Sequence, residues 1–266
     1  MTPYSQYKLA MGSYGAAQSP TIPSKQFHIF GNGISFSISP IIHNAGFCHH
    51  GLPYTYDIRE SPSIDDVAHL INGEEFGGGS VTMPHKLQVH RYCDQQTETA
   101  EIIGAINTLI VEGHGPNRTI TGDNTDWSGL HAIISSYKKR LGKALDVGLV
   151  IGAGGASRAA LYAMHRAGVK TIYLMNRTLS RMESVREAFK DSFPITILRE
   201  GQALPRDIDV IIGTIPAHVT TEEQFEGLFG ESGLCIDMSY KPRQTPLLRV
   251  ARRYSGWETI TGLQVL

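Results

Sequence analysis

The chain of 266 residues carries a net charge of −1, with 41% hydrophobic and 18% charged residues. That length can bury a sizeable core, in one large domain or two of moderate size, and the composition is that of a soluble globular protein. The near-neutral balance gives no electrostatic reason to expect nucleic acid or a membrane surface as partner, and no apolar run is long enough to span a bilayer. Cys48, Cys93 and Cys235 are odd in number and lack a CxxC pair, which points to a reducing, cytoplasmic setting without a disulfide framework. Cys48, His49 and His50 are adjacent in "FCHHG" and lack the spacing of convergent ligands, so no metal is expected.

Residues 1–26 are rich in Ser, Gly and Pro, lack the apolar core of a signal peptide, and are expected to form a mobile extension. From Phe27 the pattern predicts a strand "FHIFG", a capped helix "SPIIHNAGFCHHG" and a strand "YTYDIRE". "SIDDVAHLING" reads as a helix with Ser63 as N-cap, and "GGGSVTM" as a strand followed by a helix opening at Pro84. "TETAEIIGAINTLIVEG" passes from helix to strand, and "RTITGDN" returns as a hairpin partner. A helix from Asp126 ends in the basic run "KKRLGK", which suits the C-terminal dipole. "VGLVIGAGGASRAALYAMHRAGVKTIYLMN" is then a complete βαβ unit, with four more strands expected at "PITIL", "DVIIGTI", "GLCIDMS" and "ETITG". The order predicts an α/β protein of two domains, 27–125 and 126–261.

In "FSISPIIHN" (36–44), Ser39 is expected to cap a helix with Pro40 in its first turn, and strand alternation would turn Ser37 to the same side. Two hydroxyls beside free N–H groups at a helix N-terminus can hold an anion. In the glycine turn, Gly152 makes the bend after the strand, Gly154 admits a pyrophosphate to the backbone, and Ser157 is small enough for close packing. The second strand ends in Asn176-Arg177-Thr178, with Arg181 a turn later and no carboxylate at the tip. Two guanidiniums there favour the 2′-phosphate of NADP over the 2′-hydroxyl of NAD. "SVTMPHK" (80–86) puts Lys86 in the first turn of the helix expected at Pro84, whose positive end disfavours an ammonium and would aid proton transfer near neutral pH. "GAINT" (104–108) and "GDNTD" (122–126) hold amides and acids at element ends, with Asp126 facing any cleft between the domains.

In this order the motifs resemble the shikimate dehydrogenase family, over most of the chain from about Phe27 to Leu266. "SISPIIHN", "SVTMPHK", "IIGAINT" and "GDNTD" look like its serine, lysine, asparagine and aspartate motifs. "GAGGASR", "NRT" and "DMSYKPRQTPLL" are similar to its nucleotide turn, NADP-specificity motif and late tyrosine motif, and "IIGTIPAHV" is closer to the fungal multifunctional version. The resemblance implies an N-terminal α/β substrate domain, a C-terminal Rossmann domain and a cleft between them, in a monomer or homodimer. It implies reversible reduction of 3-dehydroshikimate to shikimate by NADPH, a step of aromatic amino acid biosynthesis. Ser37 and Ser39 would hold the substrate carboxylate, Thr82, Asn107 and Asp126 the ring hydroxyls, and Lys86 and Asp126 would be the catalytic pair. Tyr240 would lie in the cleft beside the nicotinamide, with the cofactor against Gly152, Ala153, Gly154, Gly155, Ala156, Asn176, Arg177, Thr178, Arg181 and Thr214.

Two departures stand out. Ser80 occupies a position where the family usually has Asn. Its late "G…L…Q" motif begins as "GLQVL" at 262–266, so the substrate-contacting glutamine and the helix returning to the first domain fall beyond Leu266, which bears on full activity. Alternative readings are a quinate dehydrogenase, a secondary-metabolism paralogue acting on a related cyclic acid, or a non-catalytic metabolite sensor. Ser39 and Arg177 lean toward shikimate and NADP, and the presence of Lys86 and Asp126 argues against the sensor.

Overall fold

The computed structural model describes residues 22–265 apart from positions 200 and 206. Most of the expected extension, residues 1–21, lies outside the described residues, and the first strand opens at Lys25. The first unit runs β1 (Lys25–Gly31), α1 (Ser39–His49), β2 (Tyr54–Glu60), α2 (Ala68–Ile71), β3 (Phe76–Val81), β4 (Gln95–Gln96), α3 (Glu98–Ile103), β5 (Thr108–Glu112) and β6 (Thr119–Asp123). Its sheet has the order β2-β1-β3-β5-β6-β4, parallel through β2-β1-β3 and antiparallel across β3-β5-β6. Alternation along β1 sends Phe30 to one face, with Phe76, Ile64 and Ile71, and Ile29 to the other, with Tyr56 and Phe47 of α1.

The helix expected around 63–73 is broken into a 3₁₀ turn, Ile64–Val67, and the single turn α2; Ser63 Oγ still accepts from the Asp65 N–H at 3.2 Å. No α-helix opens at Pro84. The chain makes two 3₁₀ turns, His85–Leu87 and Val89–Tyr92. Tertiary bonds take what a helix would need: the Lys86 carbonyl accepts from the Ile106 N–H at 2.8 Å, and the ring of fully buried His85 bonds the Ser61 carbonyl at 2.9 Å. With that helix goes the dipole argument for Lys86.

The second unit runs α4 (Asp126–Leu141), β7 (Val147–Ile151), α5 (Gly155–Arg166), β8 (Thr171–Met175), α6 (Leu179–Ala188), β9 (Thr196–Leu198), β10 (Val210–Gly213), β11 (Ser232–Asp237), α7 (Pro246–Ala251) and β12 (Gly256–Thr261). All four late strands fall where the sequence predicts them. The sheet is parallel throughout in the order β12-β11-β10-β7-β8-β9. Its strands are buried on both faces and read as near-continuous apolar runs. Val150, Ile212 and Ile236 pack with Leu130 of α4, Ala160 of α5 and Val185 of α6. Leu149, Ile211 and Cys235 pack with Leu247 of α7 and Trp257. The strand order reverses at β7, so the crevice lies at the carboxyl ends of β7 and β10.

Asp237 closes β11 and is 3% exposed. Burial pushes its carboxyl up to about 6, opposed by hydrogen bonds from the Thr245 side chain and the Ser239 N–H. A raised folded-state value means the native protein binds the proton more tightly, so stability is fullest at low pH and falls as pH rises through about 6. Asp237→Asn, which keeps the acceptor for Ser239, is expected to lack that decline. In urea titrations at pH 4 and pH 7, the variant should gain about 2 kcal/mol on wild type between the two.

Candidate active site

Three segments meet where the carboxyl ends of the two sheets face each other. The first is the loop into α1. Helix α1 starts at Ser39 with Ile38 as N-cap and no side-chain cap bond, so Ser39 is its first residue rather than its cap. Ser37 Oγ instead accepts from the Ser39 N–H at 3.3 Å and lies 3.2 Å from Ser39 Oγ. The expected convergence of hydroxyls is present, but a turn creates it, not a strand. Ser37 is buried and Ser39 half-buried. Across the crevice, the Tyr240 ring packs edge-on to Phe36 at 5.8 Å. Burial pushes the Tyr240 phenol up, while its hydrogen bond with Ser37 opposes the shift.

The second segment follows β3. The Thr82 N–H donates to the Phe30 carbonyl at 2.8 Å, which fixes Thr82 at the strand tip. The 3₁₀ turn then aims Lys86 at Asp126, the first residue of α4: Nζ donates to Oδ2 at 2.5 Å. The two side chains are 13% and 15% exposed. A carboxylate removed from water needs its remaining lone pairs satisfied. Asn107 supplies one donor, Nδ2 to Asp126 Oδ1 at 2.8 Å. The same Asn107 carboxamide accepts from the Thr125 N–H and the Thr108 hydroxyl, both at 2.8 Å. Thr82, Lys86, Asn107 and Asp126 thus sit at the adjoining ends of β3, β5 and α4.

Asn124 is a residue the sequence reading did not single out, although it lies inside the quoted "GDNTD". It is 1% exposed, donates to the Ala105 carbonyl at 2.8 Å and accepts from the Asp126 N–H at 3.1 Å. The asparagine therefore ties the start of α4 to the strand lead that carries Asn107.

The third segment is the glycine turn. Gly152 has φ +117°, and a Cβ there would collide with Thr214 Oγ1, itself bonded to the Ile151 carbonyl at 2.8 Å. Gly154 precedes the twelve residues of α5, and a Cβ on it would meet nothing within 4 Å, so this backbone faces open space. Gly155 packs against Lys86; a Cβ there would stand 2.8 Å from the lysine Cβ. Ala153 and Ala156 flank these glycines, and fully buried Ser157 donates to the Gly154 carbonyl at 2.7 Å. At the tip of β8, Asn176 Nδ2 donates to the Thr178 carbonyl at 3.2 Å. Arg177 and Arg181 are exposed and belong to no ion pair among the described residues.

A model of the shikimate dehydrogenase substrate binding domain matches residues 29–109, and one of shikimate / quinate 5-dehydrogenase matches residues 138–245. The chain belongs to the shikimate dehydrogenase family. It is 36% identical to the pentafunctional AROM polypeptide of Schizosaccharomyces pombe over 258 residues, covering 92% of this chain and 16% of that polypeptide. The chain thus spans about a sixth of the length of that curated relative. Among solved structures, the dehydroquinate dehydratase and shikimate dehydrogenase from S. pombe superimpose with TM-score 0.72 at 35% identity, covering 92% of this chain and 48% of that one. Shikimate 5-dehydrogenase of Thermus thermophilus, solved in complex with NADP(H) and shikimate, superimposes with TM-score 0.69 at 26% identity, covering 91% and 88% of the two chains.

Within this family fold, removing the Asn124 carboxamide strands the Ala105 carbonyl and frees the start of α4. Asn124→Ala is expected to lose about 1–3 kcal/mol in chemical denaturation, the cost of an unsatisfied buried polar group. An unchanged denaturation midpoint would remove its structural role.

Proposed function

We propose that this chain catalyses the reversible, NADPH-dependent reduction of 3-dehydroshikimate to shikimate, in the cytoplasm and as a step toward aromatic amino acids. The observation that carries the reading is the Lys86–Asp126 ion pair, packed between the hydroxyls of the first unit and the glycine turn of the second. Ser37 and Ser39 hold the substrate carboxylate, and Tyr240 closes that end of the cleft. Thr82, Asn107 and Asp126 receive the ring hydroxyls.

The residues around the glycine turn fit NADP. The open backbone at Gly154, ahead of α5, suits a pyrophosphate. The exposed guanidiniums of Arg177 and Arg181, beside Asn176 and Thr178, suit a 2′-phosphate. When bound, the nicotinamide supplies hydride to the substrate carbonyl carbon. As charge develops on the carbonyl oxygen, the Lys86 ammonium stabilises it and delivers the proton. Asp126 holds Nζ in place, and Asn107 holds Asp126. Three thiols in no disulfide (Cys48, Cys93 and Cys235) support the cytoplasmic setting. The small reaction partner requires no second macromolecule, and the enzyme acts as a monomer or homodimer.

The test is NADP+ reduction by shikimate and, separately, by quinate. Turnover with shikimate is expected; turnover with quinate alone would reassign the substrate, and shikimate binding without turnover would make the chain a sensor. Lys86→Ala should lower kcat by about 10²–10⁴-fold, and undiminished turnover would refute its role. Arg177→Ala should raise the KM for NADP+ about tenfold or more while leaving that for NAD+ unchanged, as expected for loss of a charge-assisted phosphate contact.

A further inference from the structure

His43 and Asn44 belong to the "SPIIHN" motif yet touch none of the proposed catalytic groups. Their side chains converge on one residue, Tyr56 of β2. This is an edge strand, so the backbone groups of Tyr56 on its outer side have no sheet partner. The Asn44 carboxamide meets both: Nδ2 donates to the Tyr56 carbonyl and Oδ1 accepts from its N–H, each at 2.8 Å. The His43 ring stacks on the Tyr56 ring at 4.3 Å with 7° between the planes. Backbone and ring are both clamped, and the side chain is 4% exposed.

The fixed phenol ends among hydroxyls. Tyr56 Oη donates to Ser80 Oγ at 2.8 Å, and the Ser39 side chain is close enough to act on the same phenol. Ser37 Oγ in turn donates to Ser39 Oγ at 3.2 Å, and Tyr240 lies beside Ser37. Burial pushes the Tyr56 phenol up, so it stays protonated, and therefore a donor, across the neutral range. A serine hydroxyl has a single hydrogen. Once that hydrogen turns to a carboxylate, the serine oxygen holds its place best by accepting from a neighbour, and a hydroxyl that accepts also donates more strongly.

We infer that Tyr56, held by His43 and Asn44, is a positioning residue for the carboxylate-binding hydroxyls of Ser37 and Ser39; the inference rests on the reading of this cleft as a shikimate site. With no ligand bound, the phenol donates to Ser80, with Ser39 beside it. With a carboxylate bound, Ser39 donates to it and the Tyr56 O–H moves to Ser39. Ser80 is the alternative partner that keeps the phenol satisfied in the free protein.

Tyr56→Phe removes the hydroxyl and keeps the ring that stacks on His43. The KM for shikimate should rise roughly tenfold, as for one hydrogen bond supporting an ionic contact, with kcat within about threefold and the KM for NADP+ unchanged. Calorimetric binding of shikimate and of its methyl ester supplies a readout that loss of packing would not move. The preference for the free acid over the ester should fall in the variant. An unchanged KM, or equal weakening of acid and ester, would overturn the inference. Wild-type protein that binds shikimate without turning it over would overturn the functional reading alone, because the acid-to-ester comparison still judges Tyr56. Wild-type protein that binds neither would overturn both.

Discussion

The Lys86–Asp126 pair is the constraint on which the rest of the site depends. Two charges at 2.5 Å, each about one-seventh exposed, give up most of their hydration, and the pair persists because its surroundings compensate. Asn107 donates to the second carboxylate oxygen, Asn124 accepts from the Asp126 N–H, and the Lys86 carbonyl is fixed by the Ile106 N–H. Ile106 and Asn107 belong to the lead into β5, and Asn124 to the approach to α4. The loop after β3, the lead into β5 and the start of α4 must therefore all be in register before the pair can form. On the proposed reading, a lysine held this way would meet the substrate without further reorganisation, which is where preorganised electrostatics contribute most.

The same junction joins the two sheets. Asp126 is the first residue of the helix that carries the chain into the second unit, and Gly155 of the nucleotide turn lies against the Lys86 side chain. Arg158, a turn into α5, reaches back to the Ile103 carbonyl at the end of α3, and a Cβ on Gly104 would meet its Nη1 at 2.6 Å. The Lys86 Cβ leaves no room for a larger residue at Gly155, and Gly104 adopts a φ of +64° that favours glycine. The glycine-rich composition of the turn thus answers two demands, an open backbone at Gly154 and a close approach of the first unit at Gly155.

The end of the cleft proposed for the carboxylate is built differently, from neutral hydroxyls rather than from an arginine. Ser37, Ser39, Tyr56 and Ser80 form a chain of adjacent single donors, hydrogen-bonded as Ser37–Ser39 and Tyr56–Ser80 with Tyr240 alongside, and a clamp on one member orients its neighbours. Cooperative polarisation along such a chain strengthens the terminal donors. On the proposed reading, the motif "SPIIHN" is one device, with serines that would meet the ligand and a histidine and asparagine that hold the tyrosine behind them.

The sequence by itself determined the elements whose signals are local. The apolar runs of β7, β8, β10 and β11, the glycine turn at 152–155, the cap at Ser63 and the unpaired arginines after β8 each depend on neighbours within a few residues. The polar motifs, through their resemblance to the family, also singled out Lys86, Asn107 and Asp126, which the structure brings together. Only the tertiary structure decided that no α-helix follows Pro84, where the chain makes 3₁₀ turns and the Lys86 carbonyl accepts from the distant Ile106 N–H rather than from an i+4 partner. It alone decided that Ser37 rather than Ser39 accepts at the head of α1, that Asn124 braces Asp126, and that His43 and Asn44 converge on Tyr56. Those relations join residues on different elements, and strand pairing and sheet order set the distances between them, which no local periodicity encodes.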